Sequence, residues 1–575
     1  MYILGMNFTT HDAAVALVKD GEIIYAAEAE RFNREKHTKK FPKEAIEDCF
    51  KTCCITMNQI DEIAVFVEPK LYKRLFFYNS FSQLPKSILY IPYTIKWIKR
   101  RKEIYRQIYS YFGEKFKNKV HYVNHHLAHA ASSYYASGYA SAIIVTLDGR
   151  GEYETIGIYK GEGTKIIKLY SYKYPHSIGY MYTALTKFLG FKPKHDEYKV
   201  MGLASYGRPN QDADNKISKL FSLKNNKFRL NLDFFDHHYK FGKKRMLYSG
   251  KFLKTFGSPR NKNNLGQDDA DLAYSLQKHL NLIVLEILKD VCNKHKTVKN
   301  LCLAGGVALN CSMNTAIAES QLFDNIFINP AANDAGTSLG AALYCFYLKS
   351  PNTPTVKLKN AYLGRDTDTD ADIQARISKY KDISYYYQKN VCECAAQKIS
   401  KGNVIGWYQG RMEFGPRGLG NRSILADPRH SGMKDLINKK IKFREEFRPF
   451  APSVLYEDVS EFFQVQNCAF SLYKYMLSTV KANPSIISQI PAVVHVDGTS
   501  RIQTVSEGDN EKYYNLIKCF KQITGIPILL NTSFNIKGQP IVCSVEEAVA
   551  SFLESDLDYL YIGSYEIVKN RGEKL

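Results

Sequence analysis

The chain has 575 residues, 45% of them hydrophobic and 24% charged, an ordinary globular composition that excludes a disordered, collagenous or fibrous protein. Lysine and arginine number 79 against 57 acidic residues, a formal net charge of +22. That balance suits an anionic partner, whether nucleic acid, membrane surface or phosphorylated small molecules, and a solvated basic surface would give the same number. The 12 cysteines show neither a disulfide framework nor paired zinc-site spacing, and read as reduced thiols of a cytoplasmic protein. No apolar run reaches the roughly 18 residues of a membrane-spanning helix, and the first residues lack the basic start of a signal peptide.

In chain order, residues 2–28 read as strand, polar loop (Asn7–Asp12), strand, Asp20-Gly21 turn, strand. Asp-Gly between apolar runs is a strong hairpin signal. Residues 70–118 are rich in Tyr, Lys and Arg, and Trp97–Tyr109 suits a basic helix within a helical insertion. A strand then leads to an Ala-rich helix from His125 to Ser137, with Asn124 as its N-cap and Gly138 as its stop. Residues 141–159 repeat the opening pattern of strand, turn, strand, although no longer sequence repeat accompanies it. Two hairpins with polar turns in a mixed α/β chain suggest two similar halves around a phosphate-binding cleft. Residues 270–348 read as helix, strand, helix and a buried Ala-rich helix. A linker near 351–358 separates residues 1–355 from a second α/β domain at 360–575.

Five constellations carry chemistry. His125 and His129 lie four apart, on one face of a helix, where imidazoles can share a metal ion. Asp148 follows a strong apolar strand soon after, and a His/His/Asp set suits iron, zinc or manganese. The motif Asp148-Gly-Arg-Gly-Glu152 reads as a hairpin turn or as a loop whose amides approach a phosphate. Gly305-Gly306, between a strand and a helix, permits close approach of a nucleotide or merely a tight connection. Asp334 reads as a helix cap or as a fourth metal ligand. Finally, Arg411, Arg417, Arg422, Lys442, Arg444, Arg448 and Arg501 stand among Gly, Pro and apolar positions. Such cations suit a rigid oxyanion site, and Ser533 and Asn535 add neutral hydrogen-bonding groups at the end of a buried strand.

These motifs resemble those of the O-carbamoyltransferases of the nodulation, cephamycin and tobramycin type, over nearly the whole chain. The resemblance rests on Gly5–Asp12, His125–Ala131, Leu147–Glu152, Tyr198–Ala204, Ala304–Asn310, Asn329–Gly336, Phe414–Arg429, Phe447–Pro452 and Leu530–Pro540. It implies an α/β chain: a duplicated actin/sugar-kinase-like domain with a helical insertion, followed by a YrdC-like α/β domain. It also implies that His125, His129, Asp148 and Asp334 hold iron(II) or another divalent metal. Lys199, Gly305, Gly306 and Asn310 would lie at the nucleotide. In the second domain Lys442 and Arg444 match the Lys-x-Arg pattern, and Ser533 and Asn535 match Ser-x-Asn, with Arg417 and Arg448 as further substrate-binding cations. Asp12, with His11, would serve as general base.

The expected activity is therefore carbamoyl transfer in two steps. Carbamoyl phosphate and ATP, with Mg²⁺, would give carbamoyladenylate in the second domain, and a small-molecule hydroxyl acceptor would take the carbamoyl group in the first. Anionic substrates then account for the charge without nucleic acid. A tRNA-modifying carbamoyl-type transferase is the alternative, and a membrane-surface module built on residues 84–117 is a third reading. Homo-oligomerisation is left open, and the acceptor is not legible.

Overall fold

The structure is a computed structural model and describes residues 1–575 except 72, 75–83, 86–87, 225–226, 241–245, 443, 446 and 571–575. The chain forms two compact units. The first comprises Met1–Thr10, Ala16–Glu22 and Thr56–Lys357; the second comprises His11–Val15, Ile23–Ile55 and Leu358–Leu575.

The opening strands are nearly continuous apolar runs, Tyr2–Asn7 and Ala14–Lys19, and almost every residue in them is buried, as expected for strands covered on both faces. Asp20 and Gly21 sit at φ 49° and 88°, the left-handed pair that a tight hairpin turn demands. These strands enter a five-stranded sheet ordered Glu22–Glu28, Ala14–Lys19, Tyr2–Asn7, Glu62–Val65, Val120–Tyr122. Glu62–Val65 runs parallel to the first strand and Val120–Tyr122 parallel to Glu62–Val65.

A second five-stranded sheet has the order Asn325–Ile328, Asn300–Ala304, Ser141–Leu147, Glu154–Glu162, Lys165–Lys173. Its first three strands in the chain form an antiparallel meander, and the last two add in parallel. Counted along the chain, both sheets run third, second, first, fourth, fifth. This shared order is the duplication expected of two similar halves. The four-residue strand Asn325–Ile328, too short to stand out in the sequence, completes the second copy.

Two helices pack between these strands at unusually short range. The His125–Ser137 helix is buried over most of its length, because alanine and serine leave little side chain to separate it from its neighbours. Gly340 of the Gly336–Lys349 helix has no room for a side chain: a Cβ there would stand 1.8 Å from the Ala128 carbonyl oxygen. In the insertion, a 22-residue helix spans Ile91–Phe112 and contains the expected basic segment. Ile104, Ile108 and Phe112 bury its last turns. Residues 72, 75–83, 86 and 87 of the insertion lie outside the described residues. Among the described residues no helix is long and apolar enough to cross a membrane.

The second unit centres on an eight-stranded mixed sheet ordered Ile383–Tyr387, Tyr565–Lys569, Tyr559–Ile562, Ile405–Tyr408, Arg422–Ala426, Ile528–Ser533, Ala451–Leu455, Gln503–Val505. The early segment Ile23–Ile55 belongs to this unit. Arg31 donates to the Gly415 carbonyl at 2.8 Å, and Arg34 donates to the Pro540 and Ile541 carbonyls and pairs with Glu547 at 2.9 Å.

Candidate functional site

The His125–Ser137 helix begins as its sequence suggests. Asn124 Oδ1 accepts from the Leu127 amide, and Gly138 closes the helix at φ 74°. Helical spacing places the His125 and His129 rings on one face, 4.6 Å apart between centroids. Asp148 leaves the end of the Ser141–Leu147 strand and brings Oδ2 to 3.0 Å from His125 Nε2. Asp334, in the turn before Gly336–Lys349, places Oδ1 3.8 Å from His125 Nε2 and 3.6 Å from His129 Nε2. Its backbone carbonyl is held by Asn7 Nδ2 at 2.8 Å. Donor atoms of His125, His129, Asp148 and Asp334 all lie within 4.8 Å of one another. The structure thus brings together, within one unit, the four residues singled out as metal ligands.

The electrostatics suit a cation. Burial disfavours the His125 imidazolium, yet the Asp334 and Asp148 carboxylates override it and push His125 up to about 9. His129 is pushed down, by burial and then by the neighbouring His125 charge. His129 is fully buried, and neither of its ring nitrogens has a hydrogen-bond partner among the described residues. Two imidazoles and two carboxylates fit a divalent transition ion, and an unsatisfied buried imidazole is the polar group that such an ion would satisfy. His126 points elsewhere: its Nδ1 meets Thr146 Oγ1 at 2.7 Å.

Glu152, the last residue of the Asp148–Glu152 motif, escaped the sequence reading as a functional residue. Its fully buried carboxylate accepts from the Glu68 amide, Asn124 Nδ2 and the His125 amide. The glycine pair beside the site has a local explanation. Gly305, at φ 93°, passes so close to the neighbouring strand that a Cβ would meet the Leu147 carbonyl oxygen at 2.2 Å. Gly306 faces Asp148 Oδ1 and opens a 3₁₀ turn, Gly306–Leu309, before the Cys311–Glu319 helix. Asn310 caps that helix by accepting from the Met313 amide, and donates to Gln277. Lys199, on the Glu197–Ala204 helix, pairs with Asp196 at 3.2 Å.

In the second unit the Lys-x-Arg and Ser-x-Asn segments meet directly. The buried Lys442 ammonium donates to the Ser533 carbonyl, to the Asn535 carbonyl at 2.8 Å and to Asn535 Oδ1 at 3.0 Å. Ser533 Oγ donates to the same Oδ1 at 2.7 Å. Burial, followed by the charges of Arg444, Arg448 and Lys36, holds Lys442 well below the ordinary lysine range. Arg444 donates to Asn438 Oδ1 and lies over the Phe450 ring, Arg448 pairs with Glu445 at 3.6 Å, and Arg417 is half-buried. Arg422 is fully buried, stacks on Tyr408 and donates to the carbonyls of Gln409 and Gly410.

Asp12 also belongs to this unit, at φ 59°. Its carboxylate lies between two imidazoles, His37 Nδ1 at 2.6 Å and His11 Nδ1 at 3.0 Å. Burial alone would raise its pKa; the two imidazoles override burial and hold Asp12 well below the usual carboxylate range. His37, whose amide donates to Glu30, carried no sequence signal.

The comparisons with known proteins cover both units. The family model described as "Carbamoyltransferase N-terminus" matches residues 2–343, and "Carbamoyltransferase C-terminus" matches residues 396–569. Nodulation protein NolNO of Sinorhizobium fredii is 39% identical over 98% of this chain and 80% of its own length. Nodulation protein NolO of Bradyrhizobium diazoefficiens is 39% identical over 79% of this chain and 80% of its own length. Among solved structures, component A of the Acidaminococcus fermentans (R)-2-hydroxyglutaryl-CoA dehydratase aligns with 61% of this chain and 99% of its own, at 12% identity and a TM-score of 0.32. With both halves matched in order and the nodulation relatives aligned along most of its length, the chain belongs to the carbamoyltransferase family and is a carbamoyl-transferring enzyme.

Proposed function

We propose that the protein is an ATP-dependent O-carbamoyltransferase that makes carbamoyladenylate and passes its carbamoyl group to a hydroxyl of a small-molecule acceptor. The observation that carries this reading is the buried Lys442 ammonium seated on Ser533 and Asn535, with the charges of Arg444, Arg448 and Lys36 acting on it. Arginines such as the neighbouring Arg444 and Arg448 stabilise the charge of transferring phosphoryl groups, the largest single requirement of this chemistry. Carbamoyl phosphate, ATP and one water give carbamoyladenylate, phosphate and pyrophosphate. A hydroxyl oxygen then bonds to the carbamoyl carbon, the carbon–oxygen bond to AMP breaks, and the hydroxyl proton passes to the His11–Asp12 pair. With its pKa depressed, Asp12 is suited to orient His11 rather than to accept that proton itself. His125, His129, Asp148 and Asp334 would hold iron(II) or another divalent metal, which when bound supplies a Lewis acid. The nodulation relatives favour a small-molecule acceptor. Lys442→Ala tests the reading. It should lower pyrophosphate release from ATP and carbamoyl phosphate by about 100-fold or more, yet still carbamoylate acceptor supplied with preformed carbamoyladenylate. Normal pyrophosphate release by Lys442→Ala would move adenylate formation away from this site.

A further inference from the structure

Glu152 is a fully buried carboxylate with no lysine or arginine in ion-pair range among the described residues. Burying a carboxylate with no lysine or arginine beside it is costly; the nearby His125 ring opposes that cost, and the hydrogen-bond donors are all N–H groups: the Glu68 amide at 2.9 Å, Asn124 Nδ2 at 2.9 Å, and the His125 amide at 3.1 and 3.2 Å from the two oxygens. Three segments meet at this carboxylate. Asn124 and His125 start the helix that carries both histidines. Glu152 itself ends the loop that starts at Asp148. Glu68 lies just before the insertion. The loop is pressed onto the histidines, since a Cβ at Gly151 would stand 2.8 Å from His126 Cδ2 and 3.0 Å from His125 Cδ2.

We propose that Glu152 is the positioning carboxylate of the metal centre. It ties the Asp148 loop to the first turn of the histidine helix, so that His125 and Asp148 keep their separation when an ion enters. Its charge also adds to those of Asp148 and Asp334, which favours a divalent cation over an empty site. Groups that orient ligands in this way typically change metal affinity by about 10–100-fold when removed. The proposal rests on the metal reading of His125, His129, Asp148 and Asp334.

The test is Zn(II) affinity of the metal-stripped full-length protein, by competition with a chromophoric chelator, alongside its melting temperature. Glu152→Gln should weaken Zn(II) binding by about 10–100-fold. Asn124→Ser keeps a helix-capping oxygen and the Glu152 charge but removes the side-chain link between Glu152 and the helix start, leaving the His125 amide, and should weaken binding by a smaller factor. His129→Ala, which removes a ligand, should lose tight binding altogether. A lowered melting temperature with unchanged Zn(II) affinity in both Glu152→Gln and Asn124→Ser would overturn the proposal and leave Glu152 a helix-end staple. Should Glu152→Gln fail to fold, unchanged affinity in Asn124→Ser overturns it alone. Wild-type affinity in His129→Ala would place the failure in the metal reading instead.

Discussion

Glu28 shows how a single buried side chain couples this fold to pH. It lies at the end of the Glu22–Glu28 strand, accepts from the Gly415 amide at 2.9 Å and meets Arg31 at 3.4 Å. Burial pushes its pKa up to about 7, although Arg31 beside it opposes the rise. A carboxylate whose pKa is higher folded than unfolded binds its proton more tightly in the native state. Its contribution to stability is therefore full below the unfolded value near 4.5, and is lost as pH rises towards about 7. Glu28→Gln should remove that component. The difference in unfolding free energy between wild type and Glu28→Gln, followed by denaturant titration, should change across pH 4.5–7 and level off above. A difference independent of pH would show that Glu28 is charged throughout. The same balance of burial against neighbours runs the other way at Asp12, where two imidazoles outweigh burial.

At the scale of elements, the four candidate metal ligands depend on how closely two helices approach. The Gly336–Lys349 helix follows Asp334, and the His125–Ser137 helix carries both histidines. They meet at Gly340, where the Ala128 carbonyl and the Ser132 amide occupy the space of a Cβ. Gly5 plays the same part against the Ser338 carbonyl. Gly340→Ala cannot be absorbed by a rotamer change, since backbone atoms block it. It should destabilise the first unit by about 3 kcal/mol or more, read as a fall in melting temperature, and should weaken metal binding by shifting Asp334 relative to the histidines. Wild-type melting and metal affinity would mean that the helices separate freely.

At the scale of the whole molecule, the two candidate sites for the proposed half-reactions fall in two units. The four-ligand cluster belongs wholly to the first, and the Lys442, Ser533 and Asn535 contact wholly to the second. The half-reactions should therefore separate genetically. His125→Ala should keep pyrophosphate release from ATP and carbamoyl phosphate within about threefold of wild type, a change below 1 kcal/mol, while acceptor carbamoylation falls by about 100-fold or more. Labelled carbamoyl phosphate reports both products in one assay. Loss of pyrophosphate release in His125→Ala would show that the cluster serves adenylate formation as well. The net charge of +22 is in keeping with anionic substrates.

Much of this was legible in the sequence, because it depends on near neighbours. The i, i+4 spacing of His125 and His129 puts both rings on one helical face whatever surrounds the helix. Asn124 and Gly138 mark its ends through the orphan N–H and carbonyl groups that every helix leaves, and Asp20-Gly21 declares a turn through the backbone angles those residues tolerate. The tertiary structure decided what depends on distant partners. Asp334 joins the histidines only because the sheet order returns the chain beside them. The duplication is invisible as a sequence repeat and visible as a shared strand order, since topology constrains which positions are buried, not which apolar residue fills each one. Asp12 reads in the chain as the end of a polar loop beside His11, and only the fold adds His37 to its other oxygen. Glu152 reads as one more acidic turn residue, and only burial and three long-range donors set it apart. Local patterns record what a residue can do. Which partner it meets is settled by packing across the sheets, where desolvation turns an ordinary carboxylate into a charge that must be held.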